Sequence, residues 1–179
     1  MKIGWISTAI SGDNRGVSAI EFALVLPFLL LLYFGAVELV QAISINRQVG
    51  LTAVTVANIV TQYTTISSSQ QMPDILDASE QIMAPNASSN TTIVVSCITI
   101  DSGGHATVTW SQALNGSARP TGQVVSVPAS LDVPNTTLIF SEATYAYTPI
   151  FDFMHIGIKN LYSSIYMVPR ESTTINLAA

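Results

Sequence analysis

The sequence predicts an α+β protein in which a long N-terminal helix is followed by a short helix and a small antiparallel sheet. Three observations lead to this prediction. An apolar segment lies near the N-terminus, over residues 17–40. Apolar residues then recur at helical spacing over residues 41–66. From residue 91 onwards the pattern changes to β-branched runs, and turns containing Gly, Asn or Pro separate these runs.

The first element is a membrane-spanning helix. Residues 17–40 form a stretch of 24 positions, and the sixteen from Phe22 to Val37 carry no charge. Residues 24–32 are apolar all around a helix, whereas a surface helix of a soluble protein has one polar side. At this length a helix extends about 36 Å, and the hydrocarbon core of a bilayer is about 30 Å thick. We therefore predict a single span over residues 17–40.

Basic residues around the span favour a cytoplasmic N-terminus. Lys2 and Arg15 precede the span and Arg47 follows it, and cytoplasmic flanks are enriched in such residues. A cleaved secretory signal is the alternative interpretation, because small residues occur near Ala42. The apolar region of a signal has about 7–15 residues, however, and this one is longer. The helical pattern also continues through the possible cleavage site.

The second element, residues 41–66, is predicted to extend the helix with an amphipathic segment. Its apolar stripe recurs every three or four residues and consists of Val49, Ala53, Val56, Val60 and Tyr63. Polar residues mostly lie off this stripe, namely Gln48, Thr52, Thr55 and Gln62. Such a pattern is typical of a helix with one buried side. We expect the stripe to pack on the rest of the chain, residues 67–179, which we name the C-terminal domain.

The C-terminal domain is predicted to begin with a short helix and to continue as a sheet of three to five antiparallel strands. Pro73 suits the first turn of the helix. The predicted strands cover residues 91–100, 105–114, 124–127, 138–147 and 165–168. The segment Asp101-Ser102-Gly103-Gly104 indicates a hairpin turn between the first two strands.

Composition makes several classes of function improbable. Charged residues make up 9% of the chain and the net charge is −5, so the basic patch of a nucleic-acid-binding protein is absent. A single cysteine, Cys97, excludes an intrachain disulfide and is expected to be a buried small hydrophobe. The two histidines, His105 and His155, leave little material for a metal site. No catalytic arrangement of Ser, His, Asp or Cys is recognisable, so we expect no enzymatic activity, no cofactor and no small-molecule substrate.

Three further features are interpreted more simply. Glu38 is expected to face water or headgroups at the far boundary of the span. The acidic side of the short helix is expected to be solvated, and consists of Asp74, Asp77 and Glu80. An apolar loop is expected either to pack in the core or to contact another subunit, and contains Phe151, Phe153, Met154, Ile156 and Ile158.

A single acid, Glu21, lies near the start of the otherwise apolar span. A carboxylate in hydrocarbon is costly and normally has a partner or a function. In one interpretation Ser18 and Glu21 form a capping box at the start of the helix. In the other, cleavage after Gly16 creates an ammonium group on Val17, one helical turn before Glu21, and this pair sets the register between neighbouring helices. Glycine disfavours helix, so we expect that the bond to be cleaved can stay extended.

The segment RGVSAIEFALVLP, residues 15–27, resembles the leader junction and first helix of TadE-like (TadE/TadG) proteins. These are minor pilins, or pseudopilins, of the tight-adherence (Flp, type IVc) pilus system. The glycine at 16, the acid at 21 and the proline at 27 carry the resemblance, which continues to about residue 60. Pro27 removes one backbone hydrogen bond and is either a helix kink or a tolerated proline.

The resemblance implies a pilin-like fold and a role in pilus assembly and surface adhesion. It implies a cytoplasmic leader over residues 1–16, which a prepilin peptidase removes by cutting between Gly16 and Val17. The mature chain would lie in the inner (cytoplasmic) membrane with its C-terminal domain periplasmic or extracellular. Its partners would be other pilins and the pilus assembly platform, and it would join, prime or tip a pilus.

Two other hypotheses stay open at this stage. The chain is alternatively a single-span anchored periplasmic binding or interaction domain that is never cut at Gly16. A secreted enzyme is the third hypothesis, and it lacks a recognisable catalytic set. The N-terminus of the mature protein separates the three.

Overall fold

The structure is a computed structural model that describes residues 15–150 and 157–178. Contacts within it divide the chain into two compact units, of which the first ends at Val40 and the second begins at Gln41. Several sequence predictions fall outside the described residues. They concern positions 1–14 of the leader, His155, and the loop residues Phe151, Phe153, Met154 and Ile156.

The long N-terminal helix is confirmed as α1, Arg15–Val60. It ends at Val60 rather than at residue 66 because the chain beyond it is rich in threonine, whose branched Cβ favours extended backbone. In this threonine-rich segment, Thr65–Ser67 form β1, a strand that the sequence pattern does not predict. This strand pairs in parallel with β6, Asn176–Ala178, in a separate two-stranded sheet.

Within the second unit, the helical residues 41–60 supply one wall of the core. The predicted apolar stripe is confirmed, since Val49, Ala53, Val56 and Val60 have no exposed surface. Thr52 is also fully buried, contrary to the prediction. Its hydroxyl donates a hydrogen bond to the Gln48 carbonyl oxygen at 2.9 Å, so a polar side chain is accommodated without an external partner.

The sheet has four antiparallel strands, as the sequence predicts. They are β2 (Thr91–Ile100), β3 (Ala106–Leu114), β4 (Thr136–Tyr147) and β5 (Lys159–Met167), in the spatial order β3-β2-β4-β5. The strand predicted at residues 124–127 is wrong. Val124 forms only an isolated bridge with Thr107, and the segment belongs to the long connection from β3 to β4.

The short helix is confirmed as α2, Gln71–Glu80, with Pro73 in its first turn. A 3-10 turn follows at Gln81–Met83, and another at Ser88–Asn90 precedes β2. The buried side of α2 consists of Met72, Ile75, Leu76 and Ser79.

The sheet has two unlike faces, because side chains alternate along each strand. The inner face packs on α1 and α2 and includes Ile93, Val95, Cys97, Trp110, Ile139 and Ala143. The outer face carries a smaller apolar cluster of Ile98, Ile100, Leu138 and Phe140, against which the β3–β4 connection packs Val125, Val127 and Leu131.

Candidate functional site: the N-terminal helix and the outer face of the sheet

The helix from residue 16 to residue 40 exposes apolar side chains around its whole circumference. The consecutive residues Leu29, Leu30, Leu31 and Leu32 point in different directions from the helix axis, and they are 50%, 44%, 56% and 71% exposed. A helix with such a surface needs an apolar environment. The helix is long and apolar enough to cross a membrane. None of its most apolar stretch of 18 residues is buried against other described residues. These properties are consistent with a single-pass membrane anchor.

Glu21 lies inside α1, and its side chain is exposed. Because residues 15–17 are already helical, Ser18 is a helical residue and not the residue that precedes a helix. The capping-box hypothesis for Ser18 and Glu21 is therefore wrong for this chain. Val17 and Glu21 are both helical and four positions apart, which places them on one side of the helix. This is the arrangement that the register hypothesis requires.

Gly16 is helical as well, so the expectation of an extended Gly16–Val17 bond is wrong. A glycine within a helix lowers the cost of unwinding it locally by about 1 kcal/mol relative to alanine. A Cβ atom added at Gly16 would meet no atom within 4 Å, so the folded chain has room for a larger side chain there.

Pro27 lies within α1, and the helix continues on both sides of it. Proline has no N–H group, so the Ala23 carbonyl loses its usual donor. The kink stays a prediction. Further along, Glu38 is half-buried, and its position at the far boundary of the span stays a prediction.

A polar cluster on the outer face of the sheet was not found from the sequence. Arg119, in the β3–β4 connection, forms an ion pair with Glu142 in the middle of β4. Tyr162, on β5, donates its hydroxyl hydrogen to the other oxygen of the same carboxylate at 2.8 Å. Glu142 therefore links the β3–β4 connection, through Arg119, and the edge strand β5, through Tyr162, to the central strand β4. The signal in the sequence was a lone acid in an otherwise uncharged strand, since a buried carboxylate needs partners.

Arg119 is held from several sides. Its backbone N–H donates to the Ser111 hydroxyl at 3.1 Å, and its guanidinium lies 5.0 Å from the centre of the Phe140 ring. Its hydrogen bond to Glu142 raises the pKa of the guanidinium, and burial opposes this rise. Partial burial raises the pKa of Tyr162 above its usual value. Arg119, Glu142 and Tyr162 line an open cleft of about 260 Å³. Its other lining residues are Thr92, Val94, Ser117 and Thr144.

The other candidate residues have structural roles. Asp101 accepts hydrogen bonds from the N–H groups of Gly103 and His105 at 2.8 and 2.9 Å, which holds the β2–β3 hairpin turn, and the His105 N–H is the main cause of its lowered pKa. Cys97 is 1% exposed, as predicted, and burial raises the pKa of its thiol to about 11. Asp74 and Asp77 are exposed, as expected. Residues 15–150 and 157–178 contain no group of three His, Cys, Asp or Glu side chains placed to hold a metal ion.

Comparison with known families gives one finding. Residues 16–58 match the family described as TadE-like protein. Comparisons with curated proteins and with solved structures give no match. The matched segment covers α1 from Gly16 almost to its end and leaves the sheet outside. It therefore includes both the exposed apolar part of the helix and the part that forms the core of the second unit, and it confirms the resemblance seen in the sequence.

Proposed function

Because residues 16–58 carry the TadE-like segment, we propose that this chain is a minor pilin, or pseudopilin, of a tight-adherence pilus. In this proposal a prepilin peptidase removes residues 1–16. The mature chain is anchored in the cytoplasmic membrane by residues 17–40, with the C-terminal domain on the outer side. It then acts with other pilins and the assembly platform in pilus assembly and surface adhesion.

The family match carries the proposal, because it begins at Gly16, the residue that precedes the proposed cleavage. The family relation gives a context in the pilus system. The exposed apolar helix supports membrane anchoring independently of it. The sheet and the Arg119 cluster have no counterpart in the match, so the surface target of the domain is not part of the proposal.

Cleavage requires local unwinding, since the Gly16–Val17 peptide lies within the helical residues of α1. A peptidase that binds an extended segment must unwind the helix here, and the glycine lowers the cost of unwinding it. Cleavage then leaves an ammonium group on Val17. If the helix re-forms, this group lies one turn before the Glu21 carboxylate, and the two charges attract each other strongly at the lipid boundary, where water is scarce.

Gly16→Leu tests the processing step. A leucine at this position is accommodated by the folded chain, since a Cβ there meets nothing within 4 Å. Loss of cleavage would therefore report on recognition by the peptidase. Gly35→Leu is the matched control, because Gly35 is also helical and equally uncrowded. We expect only Gly16→Leu to accumulate as the longer precursor on a gel. If both variants are processed like the wild type, cleavage after Gly16 is refuted.

Substitutions of Glu21 test the register hypothesis. Glu21→Gln keeps the size of the side chain and removes its charge, whereas Glu21→Asp keeps the charge. We expect both to be processed, and we expect only Glu21→Asp to support filament assembly. Normal filaments with Glu21→Gln would refute the charge pair. An uncleaved wild-type chain would instead favour the alternative, a tethered periplasmic domain.

A further inference from the structure

The cleft on the outer face of the sheet has a floor that the register of three strands sets. Thr92, Thr144 and Tyr162 are successive partners across β2, β4 and β5. Val94 pairs with Glu142 in the next row of the same face. Neighbouring strands lie about 4.8 Å apart and rows on one face about 7 Å apart, so the floor measures about 10 by 7 Å. A floor of this size suits a ligand unit that consists of one ring.

The β3–β4 connection borders the cleft and supplies its cation. Ser117 and Arg119 belong to this connection and line the cleft beside the floor residues. The side chains of Arg119 and Glu142 are 25% and 14% exposed, so their ion pair is largely shielded from water. The Phe140 ring, 5.0 Å from the guanidinium, supports Arg119 from a further side. A charged group that is held in place before binding loses little conformational freedom when a ligand arrives.

Arg119 and Glu142 place hydrogen-bond donors and acceptors side by side. The Arg119 Nη1 group donates to Glu142 and, at 3.4 Å, to the Ser96 hydroxyl. A guanidinium has three further N–H groups. Each Glu142 oxygen accepts one of the hydrogen bonds from Arg119 and Tyr162, and each has capacity for a second. Because a hydroxyl group both donates and accepts, a ligand with neighbouring hydroxyl groups can bond to both side chains.

The charges in the cleft cancel, which disfavours an ionic ligand. Among the residues that line it, Arg119 and Glu142 carry one charge of each sign. An anion drawn to the guanidinium would meet the carboxylate, and a cation drawn to the carboxylate would meet the guanidinium. A neutral ligand with several hydroxyl groups avoids both repulsions. Beside this pair, Tyr162 is 53% exposed and offers an aromatic face for the apolar side of a ring.

We propose that this cleft binds one ring of a neutral carbohydrate. The C–H side of the sugar ring packs on Tyr162, and two neighbouring hydroxyl groups bond to Arg119 and Glu142. At about 260 Å³ the cleft is smaller than the pockets of about 300–1,000 Å³ that take drug-sized ligands, so it holds a single sugar unit. A peptide strand would need a longer groove, whereas this floor spans two rows of side chains. The inference concerns the folded C-terminal domain and does not depend on the pilin function proposed above.

Saturation-transfer NMR on the full-length protein tests this inference. The protein is held in nanodiscs of phosphatidylcholine, because alkyl-glycoside detergents would themselves present sugar rings. The probes are the methyl glycosides of glucose, galactose, mannose and N-acetylglucosamine, all of which are neutral. The comparison ligands are the anionic N-acetylneuraminic acid and a capped neutral tripeptide. We expect saturation transfer to at least one of the neutral glycosides, and we expect none to either comparison ligand.

Variants of β5 locate the binding site. Tyr162→Leu removes the aromatic face and Tyr162→Phe keeps it. Asn160→Ala is the matched control, since Asn160 is also exposed and lies two positions away on the same face of the strand. We expect Tyr162→Leu to weaken the affinity for the bound glycoside by about 3- to 10-fold, and the other two variants to stay close to the wild type. Near-ultraviolet circular dichroism checks that each variant is folded.

Three results would overturn the inference. They are no saturation transfer to any of the four neutral glycosides, transfer that Tyr162→Leu leaves unchanged, and transfer to the anionic sugar or the peptide in place of the neutral glycosides. These results leave the proposed function intact, because cleavage after Gly16 and filament assembly are measured separately. Conversely, an uncleaved chain that binds a neutral glycoside through Tyr162 would refute the pilin proposal and support this inference.

Discussion

Truncating Val56 to alanine is expected to destabilise the second unit, whereas the same change at Val54 is not. Val56 is fully buried against the sheet, and Val54 is 38% exposed on the other side of the same helix. Val56→Ala removes the equivalent of two buried methylene groups, about 1.6 kcal/mol, and adds the cost of the remaining cavity. The higher helix propensity of alanine returns up to about 0.7 kcal/mol in both variants. The net loss is therefore about 1–2 kcal/mol for Val56→Ala and close to zero for Val54→Ala.

The assay is thermal unfolding of the full-length protein in detergent, followed by near-ultraviolet circular dichroism of the buried Trp110. For a chain of this size, the expected loss corresponds to a decrease in Tm of about 2–8 °C for Val56→Ala. Val54→Ala should melt within about 2 °C of the wild type. Equal decreases in the two variants would show that residues 41–60 do not form the wall of the core, and the account of α1 would be refuted.

Three further predictions concern the C-terminal domain. Arg119→Met should destabilise the protein by about 1–3 kcal/mol, because it leaves the half-buried carboxylate of Glu142 without its cation. Adding Glu142→Met should recover part of this loss. Strictly additive losses in this double-mutant cycle would argue against the ion pair. The Cys97 thiol should resist alkylation at pH 8 until the protein unfolds, and rapid alkylation of the folded protein would contradict its burial. Because burial raises the pKa of this thiol from 9.0 to about 11, the folded state binds the proton more tightly, and the free energy of unfolding should fall as pH rises through this interval. Cys97→Ala should show a smaller decrease over the same interval. An identical pH profile in wild type and variant would refute the raised pKa of Cys97.

The local pattern of the sequence was sufficient to predict most of the fold. The strand Thr91–Ile100 was predicted with its observed bounds, since it is a β-branched run that ends at a turn. β5 was predicted only from residue 165, although it begins at Lys159, because its first half is polar and lies at the sheet edge. The pairing of β1 with β6 joins residues more than one hundred positions apart, and three-residue strands have no periodicity to detect.

The valine-rich segment 124–127 shows a different limit. Its composition is typical of a strand, yet Val125 and Val127 are used to cover the apolar cluster on the outer face. β propensity reflects the fit of a side chain to a partly buried surface, and a loop that covers a sheet offers a similar environment. Only the three-dimensional arrangement distinguishes the two.

The candidate sites also differ in whether the sequence alone can reveal them. Gly16, Glu21 and Pro27 are a motif along one helix, so they were found from sequence alone. Arg119, Glu142 and Tyr162 meet only when a connection folds back over two strands. Nothing in their spacing indicates that they are neighbours, and we drew no inference from the isolated Glu142 in the sequence.

The mass of the protein isolated from cells that are assembling filaments tests the central proposal most directly. The account predicts a mature chain that begins at Val17, with a free ammonium group one helical turn before Glu21. A chain that retains Met1 and the following residues while filaments form would contradict it.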